Sequence, residues 1–180
     1  PYGHLYKASM FEFFRYEQAL KTTDQPGFDK AAFEAVLEIK GSNDHAKLLR
    51  MLDEVNDMTL DFDEVFDRHF DRDNFMTWMA ANILMDNVDT NSQNFFLYSP
   101  LNSEKWFFLP WDYDGGWDSY ETFADDSLVR KPWQRGIHNY WGVVLQNRLF
   151  KNPENVEQLK AKVRELSAII NPENTRKMIE

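Results

Sequence analysis

The chain has 180 residues, of which 43% are hydrophobic and 16% aromatic. Burial of this many apolar side chains offsets the entropy lost on folding, so the composition excludes a disordered chain. The length predicts one domain, residues 1–180. A formal net charge of −10 argues against a nucleic-acid partner, because affinity for a phosphate backbone depends on Lys and Arg. No apolar run approaches the roughly 20 residues that cross a bilayer, and the absence of Cys excludes disulfides and thiolate metal ligands.

The first 40 residues show no clear hydrophobic period and are predicted to be irregular and partly extended. Within them, residues 32–41 (AFEAVLEIKG) mix apolar residues that fit either a strand or a helix. Gly41 and Ser42 end this segment at once, which favours a strand in its second half.

Two amphipathic helices are predicted next. Residues 43–56 place Leu48, Leu52 and Val55 at the i, i+4, i+7 positions of one helix face. Asn43 or Asp44 can cap this helix. Residues 61–70 repeat the pattern.

A third helix is predicted over residues 74–86, opened by Asp71 or Asp73. Its apolar side chains, which include Phe75 and Met79, cover a broad arc of the helix surface. This helix is therefore expected to be buried.

The hydrophobic pattern then changes from helix to strand. Residues 95–98 (FFLY) predict a short buried strand, residues 99–105 carry turn residues, and residues 106–111 predict the returning strand of a hairpin. Pro110 ends the pairing because it lacks an N–H group. Residues 112–136 are predicted to be a loop.

Two or three helices close the chain. One is predicted over residues 138–150, a second begins at Asn152 and Pro153, and the pair Asn171-Pro172 repeats that start signal. The sequence therefore predicts an α+β fold that is mostly helical and surrounds a small hairpin.

The candidate site lies at the two ends of this hairpin. Asp89 is followed five residues later by Asn94, which opens the first strand, and this is the spacing of the protein-kinase catalytic loop. In such a loop the Asp orients the attacking hydroxyl and the Asn carboxamide is a hard ligand for Mg²⁺. Asp112, at the end of the second strand, occupies the place of the carboxylate that holds metal and phosphates.

Two other interpretations of these residues were weighed. In the simpler one, Asp89 and Asn94 bond the loop backbone, while Asp112 and Asp114 form an Asx turn before two glycines. A calcium-binding loop is excluded, because an EF-hand counted from Asp112 needs Gly at position six and an acid at position twelve, where this chain has Trp117 and Phe123.

Residues 82–117 resemble the CotH kinase family, which is named for a spore-coat protein. The family pattern is Asn-x-Asp, an Asn that leads into a Leu-Tyr strand, a Lys-Trp pair and Pro-Trp-Asp-x-Asp. All of its parts occur here: Asn87, Asp89, Asn94, Leu97-Tyr98, Lys105-Trp106 and Pro110-Trp111-Asp112-Tyr113-Asp114. The segments 5–7, 37–41 and 147–154 also resemble the family. Asp86 departs from it, because members often have Gly there.

The resemblance implies an atypical protein kinase that uses ATP with Mg²⁺ or Mn²⁺ to phosphorylate Ser or Thr hydroxyls of a protein substrate. By this resemblance Asp89 is the catalytic Asp, Asn94 and Asp112 bind the metal and nucleotide, and Asp114 is a further metal ligand. The chain would then form the larger, carboxy-terminal lobe of the kinase. The ATP-binding Lys of the family is expected in an amino-terminal lobe before Pro1, and neither Lys7 nor Lys40 is assigned that role. A secreted, cell-surface or spore-coat location is what the family suggests.

The main alternative is a non-catalytic module, either a degenerate kinase relative or a carbohydrate-binding domain that uses the Asp and Trp side chains at the hairpin tip.

Two further expectations concern the tryptophan and histidine side chains. The tryptophans near the hairpin are expected to pack in the core and loops, and the histidines, which match no ligand spacing, are expected to be surface or capping groups, with His69 packed on its helix. These side chains are Trp106, Trp111, Trp117 and Trp133, and His4, His45, His69 and His138.

Overall fold

A computed structural model describes residues 3–87, 90–116 and 144–179. These ranges contain four strands and seven helices. The strands are β1 (Gly3–Ala8), β2 (Leu37–Ile39), β3 (Phe95–Pro100) and β4 (Phe107–Pro110). The helices are α1 (Lys30–Glu34), α2 (Ala46–Asn56), α3 (Phe62–His69), α4 (Arg72–Leu84), α5 (Val144–Leu149), α6 (Pro153–Ser167) and α7 (Pro172–Ile179). None of the helices in these ranges has the length and apolar character that a bilayer crossing needs.

The four strands form one antiparallel sheet in the order β2-β1-β3-β4. The α+β class, the β3–β4 hairpin and the strand in the second half of residues 32–41 are confirmed, but the hairpin is part of a four-stranded sheet. The amino-terminal segment, predicted to be irregular and partly extended, supplies β1, one of the two inner strands. Its inward-facing residues include His4 and Tyr6, which are not apolar by type, so the alternation of a strand was hidden in the sequence.

Local capping signals placed most helix starts correctly. Asp61 accepts a hydrogen bond from Glu64 N at 3.2 Å, Asp71 from Asn74 N at 2.9 Å and Asn152 from Glu154 N at 3.0 Å. Each of these side chains satisfies an amide that the first helical turn leaves without a backbone partner. The helix that begins at residue 172 is also confirmed.

Two helix starts differ from the predictions. His45 occupies the N-cap position of α2 without a side-chain cap, while Asp44 accepts from Ala46 N at 3.0 Å. Residues 32–41 contain both predicted alternatives, because α1 ends at Glu34 and β2 follows it. Asp29 caps α1, a signal that the sequence interpretation missed. Of the helix predicted over 138–150, only residues from 144 lie in the described part of the chain.

Helix α4 is buried, as predicted, and packs against the hairpin. The ring of Phe108 in β4 lies 4.6 Å from Trp78, 5.1 Å from Phe75 and 5.3 Å from Phe95, measured between ring centroids. Asn74 accepts from Phe108 N at 2.7 Å and donates to Phe108 O at 3.2 Å. Because β4 is an edge strand, this side chain closes its free hydrogen-bonding groups and fixes α4 to the hairpin.

The burial of His4 and His45 corrects the expectation of surface or capping positions, while His69 is packed, as expected. The hydroxyl of Tyr6 bonds His45 Nδ1 at 2.8 Å, and His69 Nε2 lies 3.0 Å from a Glu54 carboxylate oxygen. Burial lowers the pKa of all three histidines of the described ranges below the ordinary value of 6.5. His4, His45 and His69 are buried. His138 lies outside the described residues.

The depressed pKa values predict how stability depends on pH. The free energy of unfolding should be constant well above the ordinary pKa of 6.5 and should fall as the pH drops below it, because the unfolded chain then binds protons that the buried imidazoles do not. Each histidine contributes a limiting slope of about 1.4 kcal/mol per pH unit. Urea unfolding between about pH 8 and pH 5.5 measures it.

The matched variant for this experiment is His45→Gln. It should lower the slope of the free energy of unfolding against pH by the contribution of one histidine. A free energy of unfolding that stays flat down to about pH 5.5 would contradict the burial of neutral imidazoles.

Candidate functional site

The register of the hairpin brings Asn94 and Asp112 to one end of the sheet. Phe95 and Pro110 form the last residue pair of β3 and β4, so Asn94 enters the hairpin where Asp112 leaves it. Asp112 and Asp114 are exposed and Asn94 is half-buried. Asp89 lies outside the described residues.

The backbone bends sharply at both ligand candidates. Asn94 has φ 59° and Asp112 has φ 55°, in the left-handed region. Asn and Asp adopt this conformation more readily than other residues with a side chain, because their short polar groups bond nearby backbone. The two bends lie just outside the paired residues of the hairpin, one before β3 and one after β4.

The loop that carries Asp112 and Asp114 packs against the end of α4. Gly116 N donates to Tyr113 O at 3.1 Å, which closes a tight turn. A Cβ at Gly116 would lie 3.0 Å from Met85 O and 3.8 Å from the Asn87 Cβ. This close approach of backbones favours glycine at residue 116 and sets the Asp112 loop beside the residues that lead to Asp89.

A buried asparagine links these two loops to the helix. Asn82 is fully buried, accepts from Asn87 Nδ2 at 3.2 Å and donates to Trp78 O at 2.8 Å. Burial raises the pKa of Tyr113, and the Asn82 side chain opposes the rise. The sequence interpretation gave Asn82 and Tyr113 no role. The available signal was a polar residue inside the apolar arc of a buried helix.

Asp86, the residue that departs from the family pattern, has an unusual backbone conformation. Its φ is 53°, which is the left-handed conformation that glycine adopts without steric cost. The chain leaves α4 through this residue and reaches the Asp89 loop three residues later. Asp86 therefore adopts the backbone conformation that a glycine could adopt at this position.

A cation and two aromatic rings lie beside the site. Lys7 Nζ is 5.4 Å from the centroid of the Trp111 ring, and the Phe96 ring meets Trp111 edge-on at 5.4 Å. Trp111 is 47% exposed, which corrects the expectation that it packs inside. Lys40 pairs with Glu38 instead.

Only one of the other three tryptophans covered by that expectation lies in the described part of the chain. Trp106 is fully buried, as expected. Trp117 and Trp133 lie outside the described residues.

The donor set fits a hard divalent cation. Asn94 offers a carboxamide oxygen, and Asp112 and Asp114 offer carboxylates, the ligands that Mg²⁺ and Mn²⁺ prefer. Among the described residues no group of three or more His, Cys, Asp or Glu side chains is placed to hold a metal by itself. A cation here would therefore need Asn94 and further oxygens from phosphate groups, which is how Mg²⁺ is usually held with nucleotides.

Comparison with known proteins places the chain in a family. The family model for the CotH kinase protein matches residues 2–180. The chain therefore belongs to the CotH kinase family, and the resemblance drawn from residues 82–117 is confirmed. No curated protein matched the chain. Membership indicates a kinase-like function and the ATP and divalent metal that such a function uses.

The left-handed turn at residue 86 predicts a difference between two variants that both remove the carboxylate. Asp86→Ala should be about 1 kcal/mol less stable than Asp86→Gly, because alanine must place a Cβ in the left-handed conformation. Urea unfolding of the two variants measures the difference. An alanine variant as stable as the glycine variant would contradict the backbone conformation at this position.

Proposed function

We propose that this chain transfers the γ-phosphoryl group of ATP to Ser or Thr hydroxyls of a protein, with Mg²⁺ or Mn²⁺. One observation carries the proposal. The β3–β4 register sets Asn94 and Asp112 at the same end of the hairpin, and the turn at Gly116 packs that end against the segment leading to Asp89. Phosphoryl transfer depends on positioning and charge stabilisation more than on covalent help, so this small set of groups is most of what the reaction needs.

In the proposed reaction Asn94 and Asp112 hold the metal–nucleotide complex, with Asp114 as a further ligand. A divalent cation, when held by these residues, would neutralise the charge that develops on the phosphate oxygens. The exposure of Asp112 and Asp114 supports this role, because exposed carboxylates can receive a ligand from solvent without a change in the core.

Asp89 takes the role of base in the proposal. It orients the substrate hydroxyl and accepts its proton while the hydroxyl oxygen bonds the γ-phosphorus. The bond from that phosphorus to the β–γ bridging oxygen breaks, and ADP leaves. Asn87, two residues earlier in the sequence, and Thr90, the next residue, are both fully buried, so the segment on each side of Asp89 is anchored in the fold.

Lys7 and Trp111 complete the proposed nucleotide site. Trp111 exposes a ring face on which a base can stack, and Lys7 brings a positive charge to an acidic chain of net charge −10. On this proposal the domain corresponds to the larger lobe of an atypical kinase, with β1 and β2 beside the catalytic hairpin.

A carbohydrate-binding module is the second candidate, favoured by the exposure of Trp111. Aromatic rings also stack on sugars, and that contact needs no metal. The two candidates therefore separate on whether binding depends on a divalent cation.

The first prediction of the proposal concerns Asp112. Mn²⁺ with ATP at about 100 times the Kd should stabilise the wild-type chain by about 2.7 kcal/mol, which raises the Tm by about 5–10 °C for a chain of this size. Asp112→Ala should abolish the shift, because it removes a charged ligand of the cation. Thermal unfolding with Mn²⁺ alone, ATP alone and both together measures the effect.

The control for Asp112→Ala is Glu157→Ala, which removes one negative charge from the exposed face of α6 and should keep the full shift. A Tm that rises equally with ATP in the absence of metal would count against the proposed site. A shift with oligosaccharides that needs no cation would favour the second candidate.

The second prediction concerns Asp89. Asp89→Ala should lower kcat for transfer from ATP to a Ser-containing protein by about 10²–10⁴-fold, and the Tm shift with Mn²⁺-ATP should persist, because the base is not a metal ligand. Phosphate transfer and thermal unfolding are measured on the same preparations. Unchanged kcat in an active wild-type background would remove Asp89 from the mechanism.

A further inference from the structure

We infer that Asn82 and Tyr113 are positioning residues that hold the two loops of the site in one arrangement. One loop, residues 85–87, leads to Asp89, and the other, residues 112–116, carries Asp112 and Asp114. The inference depends on the proposed function for the identity of the ligand. The coupling between the loops rests on contacts of the described residues alone.

Asn82 is the shared anchor because its groups face both loops from the last turn of a buried helix. Its backbone oxygen accepts from Asn87 N at 2.9 Å, and its side chain accepts from Asn87 Nδ2 at 3.2 Å. Asn82 Nδ2 donates to Trp78 O at 2.8 Å, which fixes the rotamer against the helix. A fully buried amide with these bonds cannot reorient without losing several of them.

Asn87 depends on this anchor for its orientation. It is fully buried, and its Oδ1 has no hydrogen-bond partner. The bond from Asn87 Nδ2 to Asn82 is therefore the side-chain bond that orients the residue two positions before Asp89. A change at Asn82 is transmitted directly to this segment.

Tyr113 attaches the second loop to the same side chain. The turn that it closes contacts the first loop, because a Cβ at Gly116 would lie 3.0 Å from Met85 O and 3.8 Å from the Asn87 Cβ. The Asn82 side chain opposes the rise that burial causes in the pKa of Tyr113, and Tyr113 stands between Asp112 and Asp114 in the sequence. Its carbonyl also accepts from Gly116 N, so one residue closes the turn and ties it to α4. Loss of the hydroxyl would loosen both ligand carboxylates while leaving their side chains in place.

The variant Tyr113→Phe tests the inference, with Tyr98→Phe as the matched control. Both lose one hydroxyl, and Tyr98 lies on β3 with its side chain half-buried. Residue-level hydrogen exchange of the ligand-free chain reports the coupling. In Tyr113→Phe the amides of Asn87 and Gly116 should both exchange about three- to tenfold faster.

The amide of Lys40, which donates to Leu5 O across the sheet, is the reference for global stability. Its exchange should stay unchanged in both variants. Faster exchange at Lys40 by the same factor would reduce Tyr113 to a general stabilising role, and faster exchange at Gly116 alone would show that the loops are not coupled. Either result overturns the inference.

Metal affinity then links the coupling to the site. Titration of Mn²⁺ in the presence of ATP should give a Kd about three- to tenfold higher for Tyr113→Phe than for the wild type, with Tyr98→Phe unchanged. Equal affinity for Tyr113→Phe overturns the positioning role. If the wild type binds no Mn²⁺-ATP, the proposed function fails and the positioning role fails with it, while the exchange data still decide whether the loops are coupled.

Discussion

The register between β3 and β4 is the constraint on which the site depends. Strand side chains alternate between the two faces of a sheet, so a slip of one residue would turn Phe108 out of the core and move the ends of the strands apart. Phe108 packs against the rings of Phe75, Trp78 and Phe95, among others, and Asn74 bonds both of its backbone groups. The apolar core therefore fixes the position of polar groups that lie outside it. Asn94 and Asp112 lie at the same end of the hairpin because Phe95 pairs with Pro110.

The site joins an exposed set of ligands to a rigid support. Left-handed backbone at Asn94 and Asp112 ends the strands abruptly, so their side chains leave the sheet at the point where pairing stops. Beneath them, Asn82 and the close contact at Gly116 connect the loops to a buried helix. This arrangement suits phosphoryl transfer, because the groups that bind a metal and a nucleotide must be open to solvent yet held in position.

The sequence predicted the features that are set by local interactions. The caps at Asp71 and Asn152, the buried character of α4 and the hairpin all follow from residues within a few positions of one another. The family motif named the site residues without their geometry. Strand β1 was missed because its inward residues are not apolar by type, and their burial depends on partners such as His45, which is 39 residues away from Tyr6.

The contact between Asn82 and Tyr113 could not be predicted for the same reason. It involves α4 and the loop that follows β4, which are about 30 residues apart in the sequence, and only the folded chain brings them together. The left-handed turn at Asp86 could be located from the sequence only as a departure from the family pattern. Its backbone conformation is known from the structure. Features set by long-range contacts therefore could not be predicted from the sequence, whereas helix caps and turns could.

The most direct test of the account is paramagnetic broadening of the backbone amide signals by Mn²⁺ in the presence of ATP. The account predicts that broadening is confined to residues around the hairpin end, centred on Asn94 and Asp112, and that it disappears in Asp112→Ala. Broadening spread over the acidic faces of α2 and α3, or equal in the variant, would contradict a metal–nucleotide site at this position.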